Sequence, residues 1–221
     1  APGGCEIGLR PIDLHLSSLR LMGAQIETEG GVLSCRCPDG LRGEKITLSF
    51  PSVGATENIL IAAASADGET VILNAAREPE IADLADFLCS CGAHISGAGS
   101  GEITVCGMKK LHSAEHTVIP DRIIASTYMA AAAVTGGDVH ILDTRAEHIT
   151  PVIPVFEQAG CKVDCGENSV HISAPVRLRS VQTVRTMPYP GFPTDSQAAV
   201  MAMLSVAHGT SVMIENIFEN R

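Results

Sequence analysis

Tryptophan is absent from this chain of 221 residues, and aromatic side chains make up only 3% of it. Basic residues are also scarce, with 15 Lys and Arg against 25 Asp and Glu, for a net charge of −10. Nucleic-acid binding needs basic tracks and stacking surfaces, so the composition argues against it. No apolar run reaches the ~20 residues of a membrane-spanning helix. The most apolar stretch, Ile123 to Val134, is expected to be a buried helix instead. A basic segment followed by an apolar signal sequence is also missing, which gives an expectation of a cytoplasmic protein without a membrane partner.

Eight cysteines are present, yet none of the C-x2-C pairs typical of structural zinc is. The spacings Cys35-x-Cys37, Cys89-x-Cys91 and Cys161-x3-Cys165 read as neither a zinc ribbon nor a disulfide framework. Most of these thiols are expected to be small buried apolar residues in a reducing compartment, with no metal and no cofactor.

What the chain does have is apolar content, 45% of residues, with a mean hydropathy of +0.22. That suffices for one large core or two smaller ones. A repeat organises it. The segment Leu14 to Leu19 leads to Gly23-Ala24-Gln25-Ile26, Ala82 to Leu88 leads to Gly92-Ala93-His94-Ile95, and Ile149 to Phe156 leads to Gly160-Cys161-Lys162-Val163. The period is about 68 to 69 residues. In each copy, apolar spacings of three and four predict an amphipathic helix that the Gly ends in a left-handed cap. Alternating residues then predict a strand, and a Gly-rich turn leads to a return strand such as Glu102 to Val105.

A second kind of helix is expected at Ala55 to Ala66, Arg122 to Val134 and Ser196 to His208. These segments are rich in Ala, Ile and Met and apolar nearly all round, which marks helices covered on every side. Strands are expected after them, at Thr70 to Leu73, Asp138 to Ile141 and Thr210 to Met213. The predicted unit is β-α-β-α-β-β, an α/β (α+β) architecture with helices packed beneath sheets. A boundary near Val118-Ile119-Pro120 divides residues 1–119, half a repeat plus a full one, from residues 120–221, a full repeat plus half of the next. The Ala start and the half repeats at both ends suggest two partial domains of a longer protein.

Three motifs could carry chemistry. His112-Ser113-Ala114-Glu115-His116 fits the H-x-x-E-H pattern of some zinc peptidases, but it follows a hairpin and precedes a Pro-containing strand, so the helix that chemistry requires is not expected. Gly97-Ala98-Gly99-Ser100-Gly101 joins two strands, whereas a dinucleotide-binding loop must open a helix. In Pro2-Gly3-Gly4-Cys5, two glycines let the backbone bend near a thiol, with Arg10 five residues on and Pro11 opening a helix from Ile12 to Met22. An exposed cysteine near an arginine is a candidate nucleophile or proton donor.

That loop, Pro2 to His15, resembles the active-site loop of the UDP-N-acetylglucosamine enolpyruvyl transferases. So do Ser52 to Asn58, Asn74 to Ile81, Ile119 to Arg122, Pro188 to Gln197 and Ile217 to Arg221, in order along the chain. The resemblance implies an inside-out α/β barrel fold, with two domains of three repeats each around a cleft. It also implies transfer of the enolpyruvyl group of phosphoenolpyruvate to the 3'-hydroxyl of UDP-N-acetylglucosamine, the first committed step of peptidoglycan synthesis.

By matching position, the resemblance makes Cys5 the residue that protonates or covalently holds phosphoenolpyruvate, and the target of fosfomycin. Arg10 would bind the phosphate-bearing part of the reacting species. Asp195, just before a helix whose dipole favours a carboxylate, would accept the hydroxyl proton. Arg10, Pro11, Ile12, Asp13 and Leu14 would line the uridine site, Ser52, Val53 and Gly54 would hold the diphosphate at a helix start, and Ile217 would contact the sugar. Phe50 stands where some members carry Lys. A Lys-Asn pair and a further Arg that the family uses do not occur within the 221 residues. The expectation is therefore that this chain alone turns over little. Two alternatives stand beside it: a non-catalytic homodimer formed through open repeat edges, and the sister transferase acting on shikimate 3-phosphate, which uses no such cysteine.

Overall fold

The computed structural model describes residues 11–108 and 110–218. Its chain divides into two compact units between Val118 and Ile119.

Unit 1 begins with helix α1 (Asp13–Leu21) and the antiparallel hairpin β1 (Gln25–Glu29) and β2 (Val32–Arg36). A complete repeat follows: β3 (Lys45–Thr47), α2 (Val53–Ala63), β4 (Glu69–Leu73), α3 (Pro79–Ser90), β5 (His94–Ser96) and β6 (Glu102–Cys106). Its sheet has the order β3-β4-β6-β5, with β3 parallel to β4 and the other pairs antiparallel. Helix α2 carries no charge but Glu57, and its Ala55, Ile59, Leu60 and Ala63 are buried. They share a core with Ile46, Ile72, Ile103 and Val105 of the sheet. Burying each such Ile or Leu contributes roughly 1.5–3 kcal/mol, which fixes the helix beneath the strands.

Unit 2 repeats the theme: α4 (Arg122–Thr135), β7 (Asp138–Leu142), α5 (Ala146–Ile149), α6 (Ile153–Gln158), β8 (Lys162–Cys165) and β9 (Ser169–Ser173). The sheet β7-β9-β8 is wholly antiparallel. Then come β10 (Thr183–Arg185), a 3-10 turn (Thr194–Ser196), α7 (Gln197–Ser205) and β11 (Val212–Ile214), with β10 parallel to β11. Met129, Phe156, Val170, Ile172, Val200 and Met203 form the centre of the core.

The repeat is visible in backbone angles. Gly23, Gly92 and Gly160 have φ of 103°, 101° and 103°. At each, the following residue donates back to the helix, Ala24 to Leu19, Ala93 to Leu88 and Cys161 to Phe156. This is the Schellman closure that only a left-handed residue permits, and glycine adopts it without a Cβ clash.

Three expectations need correction. The single helix from Ile149 to Phe156 is two short ones, because Pro151 has no N–H to continue the ladder. The Pro-containing segment before α4 is not a strand, so β7 lacks the parallel neighbour that β4 has in β3. The cysteines are mostly not buried: of the seven in described residues, Cys35, Cys89, Cys106 and Cys165 are exposed and only Cys91 and Cys161 are buried. Cys106 sits on the face of its strand opposite buried Ile103 and Val105, whereas Cys35 and Cys165 share the face of Ile26 and of Val170 but lie near the ends of their strands. All seven are free thiols. Among the described residues, no helix is long and apolar enough to cross a membrane.

Candidate functional site

Within unit 1, the expected uridine and diphosphate segments come together at two helix starts. Ile12 accepts from Leu16 N–H at 3.0 Å and so begins α1, placing Asp13 in its first turn where the dipole favours a negative charge. Leu14 packs against the unit 1 core. Ser52 is the N-cap of α2: its hydroxyl accepts from Ala55 N–H at 3.3 Å, and Val53 and Gly54 form the first turn. Buried Thr56 secures that turn, donating to Ser52 O at 2.8 Å and accepting from Ala76 N–H at 3.1 Å.

The two helices meet at Gly54. A Cβ there would lie 3.1 Å from His15 Cε1, so glycine is what lets the imidazole approach. His15 Nδ1 also pairs with Asn58 Nδ2 at 2.5 Å, one turn along α2. Burial lowers the His15 pKa below its usual 6.5, against the opposing pull of Asp13. Neither His15 nor Asn58 received a role from sequence, although both lie in quoted motifs. Cys5 and Arg10 lie outside the described residues.

In unit 2 the segments that carry Asp195 and Ile217 are linked through Glu215. Exposed Asp195 sits in the 3-10 turn that runs directly into α7. On one side, Ser196 shares a 2.8 Å hydrogen bond with Ser126 of α4, both buried. On the other, Thr194 donates to Glu215 Oε2 at 2.9 Å. Glu215 also accepts from Ile217 N–H at 2.7 Å and Phe218 N–H at 3.1 Å. Sequence reasoning missed this carboxylate, since its partners are distant along the chain. Nearby, buried Arg122 lies under the Tyr189 ring, 5.8 Å from its centroid.

The remaining motifs resolve simply. His112 and His116 lie outside any helix or strand, with His112 against Gly92 and His116 Nε2 on Asp83 at 2.9 Å. Among the described residues no group of three His, Cys, Asp or Glu is placed to hold a metal ion. Gly97 to Gly101 is the turn between β5 and β6. An open pocket of about 370 Å³, lined by Asp83, Leu84, Phe87 and His116 among others, contains none of the expected site residues.

These repeated α/β units have a counterpart among solved structures. The enolpyruvyl transferase NikO from Streptomyces tendae aligns with a TM-score of 0.84 over 96% of this chain and 53% of its own, at 23% identity, a likeness of fold. EPSP synthase from Acinetobacter baumannii aligns with a TM-score of 0.65 at 27% identity, over 96% of this chain and 50% of its own. The fold class is thus that of the enolpyruvyl transferases.

The chain belongs to the family of EPSP synthase (3-phosphoshikimate 1-carboxyvinyltransferase), whose family model matches residues 1–221. Within it, a UDP-N-acetylglucosamine 1-carboxyvinyltransferase 1 from Caldanaerobacter subterraneus subsp. tengcongensis is 53% identical over 220 residues, covering 100% of this chain and 52% of that protein. A UDP-N-acetylglucosamine 1-carboxyvinyltransferase from Finegoldia magna is 50% identical over 222 residues, with the same coverage. The chain spans about half the length of these curated relatives.

Proposed function

We propose that the protein to which this chain belongs transfers the enolpyruvyl group of phosphoenolpyruvate to the 3'-hydroxyl of UDP-N-acetylglucosamine, with release of phosphate. The observation that carries the reading is identity of 50% or more, over the whole chain, to relatives named for that nucleotide sugar. The geometry supports it. Ser52, Val53 and Gly54 offer a hydroxyl and first-turn N–H groups at the start of α2, the kind of site that binds phosphate on an otherwise acidic protein. Pro11, Ile12, Asp13 and Leu14 stand next to them through the His15–Gly54 contact and are assigned to the uridine.

Asp195 is assigned as general base for the 3'-hydroxyl, being exposed and fixed on both flanks, and Ile217 as a sugar contact. Cys5 is assigned the proton donor or covalent attachment to phosphoenolpyruvate, and Arg10 the phosphate. The division into residues 1–119 and 120–221, each a part of a three-repeat domain, belongs to the same proposal, as do a cytoplasmic location and a role in cell-wall synthesis, cell shape and division.

The reading is tested by binding of UDP-N-acetylglucosamine against shikimate 3-phosphate, in a chain extended to the length of its relatives. Intact mass is measured in parallel after fosfomycin treatment. Selective binding of the nucleotide sugar and an adduct on Cys5 are expected. Preference for shikimate 3-phosphate would overturn it in favour of the sister enzyme.

A homodimer without turnover is a second reading. It is favoured by exposed apolar residues on the central helices of unit 2, Ile124, Tyr128 and Met201. Light scattering that shows a clean monomer at high concentration would remove it.

A further inference from the structure

One carboxylate in unit 2 ties three separate segments together. Glu215, the residue after β11, accepts through Oε1 from Thr186 Oγ1 at 2.9 Å, Ile217 N–H at 2.7 Å and Phe218 N–H at 3.1 Å. Through Oε2 it accepts from Thr194 Oγ1 at 2.9 Å. Thr186 completes the knot by accepting from Asn216 N–H at 2.8 Å, while its own carbonyl accepts from Asn216 Nδ2 at 3.2 Å. The segments joined are the end of β10, the turn before α7, and the chain beyond β11.

Each segment has a different position relative to the chemistry. Thr194 precedes Asp195 directly, and Ile217 is itself one of the bonded N–H groups. Asp195 is exposed, and the residues on both sides of it are tied by side-chain hydrogen bonds. Ser196 fixes the turn from below through Ser126, and Thr194 fixes it from the side through Glu215. A carboxylate suits this task because it is acceptor-only, with room for several donors on two oxygens. Bonds to an ionised acceptor are also shorter and stronger than neutral ones. Burial alone would raise the pKa of Glu215, but the Ile217, Phe218, Thr186 and Thr194 donors outweigh it and hold the group below its usual range. The charge is therefore kept at working pH.

We propose that Glu215 is a positioning residue: through Thr194 and through the Ile217 and Phe218 amides, its carboxylate fixes the Asp195 turn and the Ile217 segment in one mutual geometry. The assignment rests on the reading of Asp195 as base and Ile217 as sugar contact. Glu215 touches no reacting atom. It sets where the base stands relative to the hydroxyl it deprotonates, and a displacement of about 1 Å in such a group can cost ~100-fold in rate.

The test uses the chain extended to the length of its relatives, with steady-state kinetics and thermal melting on four variants. Thr194→Val keeps shape and removes the hydroxyl that ties the Asp195 turn to Glu215. The expected result is a fall in kcat of about 10- to 100-fold, with KM for UDP-N-acetylglucosamine changed less than about twofold. Thr194→Ser restores the hydroxyl and is expected to recover most of that loss. Glu215→Gln also weakens the Ile217 tie, so kcat falls and KM for the nucleotide sugar rises together. Asp195→Asn is the reference and is expected to abolish turnover while binding persists.

Full kcat in Thr194→Val beside an inactive Asp195→Asn would overturn the positioning role and leave the base assignment standing. Full turnover in Asp195→Asn would overturn the base assignment, and the positioning role with it. A Thr194→Val enzyme whose melting falls but whose kcat does not would show the knot to be structural only, which also overturns the proposal.

Discussion

Asn58 Nδ2 donates to His15 Nδ1 across 2.5 Å, joining the first turn of α1 to the flank of α2. With the amide nitrogen facing the ring, the neutral imidazole accepts the bond through a bare Nδ1.

Acidification is therefore expected to weaken unit 1. Burial lowers the folded pKa of His15 below its unfolded 6.5, with Asp13 partly opposing. The folded state then binds the proton less readily than the unfolded state. The contribution is complete above pH 6.5 and is lost as the pH falls from there through the folded pKa. The group is only partly buried, so solvent screening keeps the effect to a fraction of a kcal/mol. Melting followed from pH 7.5 to 5.5 should show the decline, and His15→Gln should flatten it.

His171 in unit 2 has the opposite sign. Its Nε2 bonds Asp138 Oδ1 at 2.8 Å and its Nδ1 lies 3.6 Å from Asp164 Oδ2, while the His140 ring lies tilted by 53° with its centroid 4.5 Å away. The Asp138 hydrogen bond raises the His171 pKa above 6.5, and the same bond lowers that of Asp138 below 3.8. The stabilisation is complete below pH 6.5 and fades as the pH rises through the raised value of His171. At the acid end it is lost as Asp138 protonates below pH 3.8. Asp138→Asn should return the His171 titration toward 6.5, read by NMR of the ring protons.

Removing the Ser52 cap should be felt twice. Ser52→Ala loses the bond to Ala55 N–H and should cost about 1 kcal/mol, measured by denaturant unfolding. The same change removes a hydroxyl from the proposed diphosphate site. Affinity for UDP-N-acetylglucosamine in the extended chain should fall more than stability alone accounts for.

Phe156 is fully buried at the centre of unit 2. Phe156→Ala should cost about 3–5 kcal/mol by lost burial and cavity formation. Hydrogen exchange is expected to lose protection first in α4, β9 and α7, whose Met129, Ile172 and Met203 share that core.

Much of the fold was legible because its signals are local. The glycines at 23, 92 and 160 announce a left-handed cap whatever surrounds them, and the Ala-rich central helices announce a buried face. Those helices are not covered on every side, however: Ile61, Ile124, Tyr128 and Met201 are exposed. Helix α2 begins at Val53, two residues before the apolar pattern does, because Ser52 caps it there. The split at Pro151 was present in the sequence but was overridden by the apolar pattern around it. The site was legible where residues are contiguous, as at Ser52 to Gly54. It was not legible at Glu215, whose four donors come from residues 186, 194, 217 and 218. Only the parallel pairing of β10 with β11 brings Thr186 beside the chain after Ile214. His15 shows the same limit, since nothing in its own neighbourhood says that Asn58 will face it.

The repeat also sets how the chain can acquire its structure. Every sheet is closed within a single repeat, and the most distant partners in any described ladder are Glu69 and Cys106. Loop closure for such pairings is entropically modest, and short-range topology favours fast folding. The β3-to-β6 sheet has all its strands once Cys106 has left the ribosome, before any of unit 2 has emerged. Folding in the order of synthesis leaves each newly made strand only a short wait for its partner, which limits the time that bare edges are open to other nascent chains.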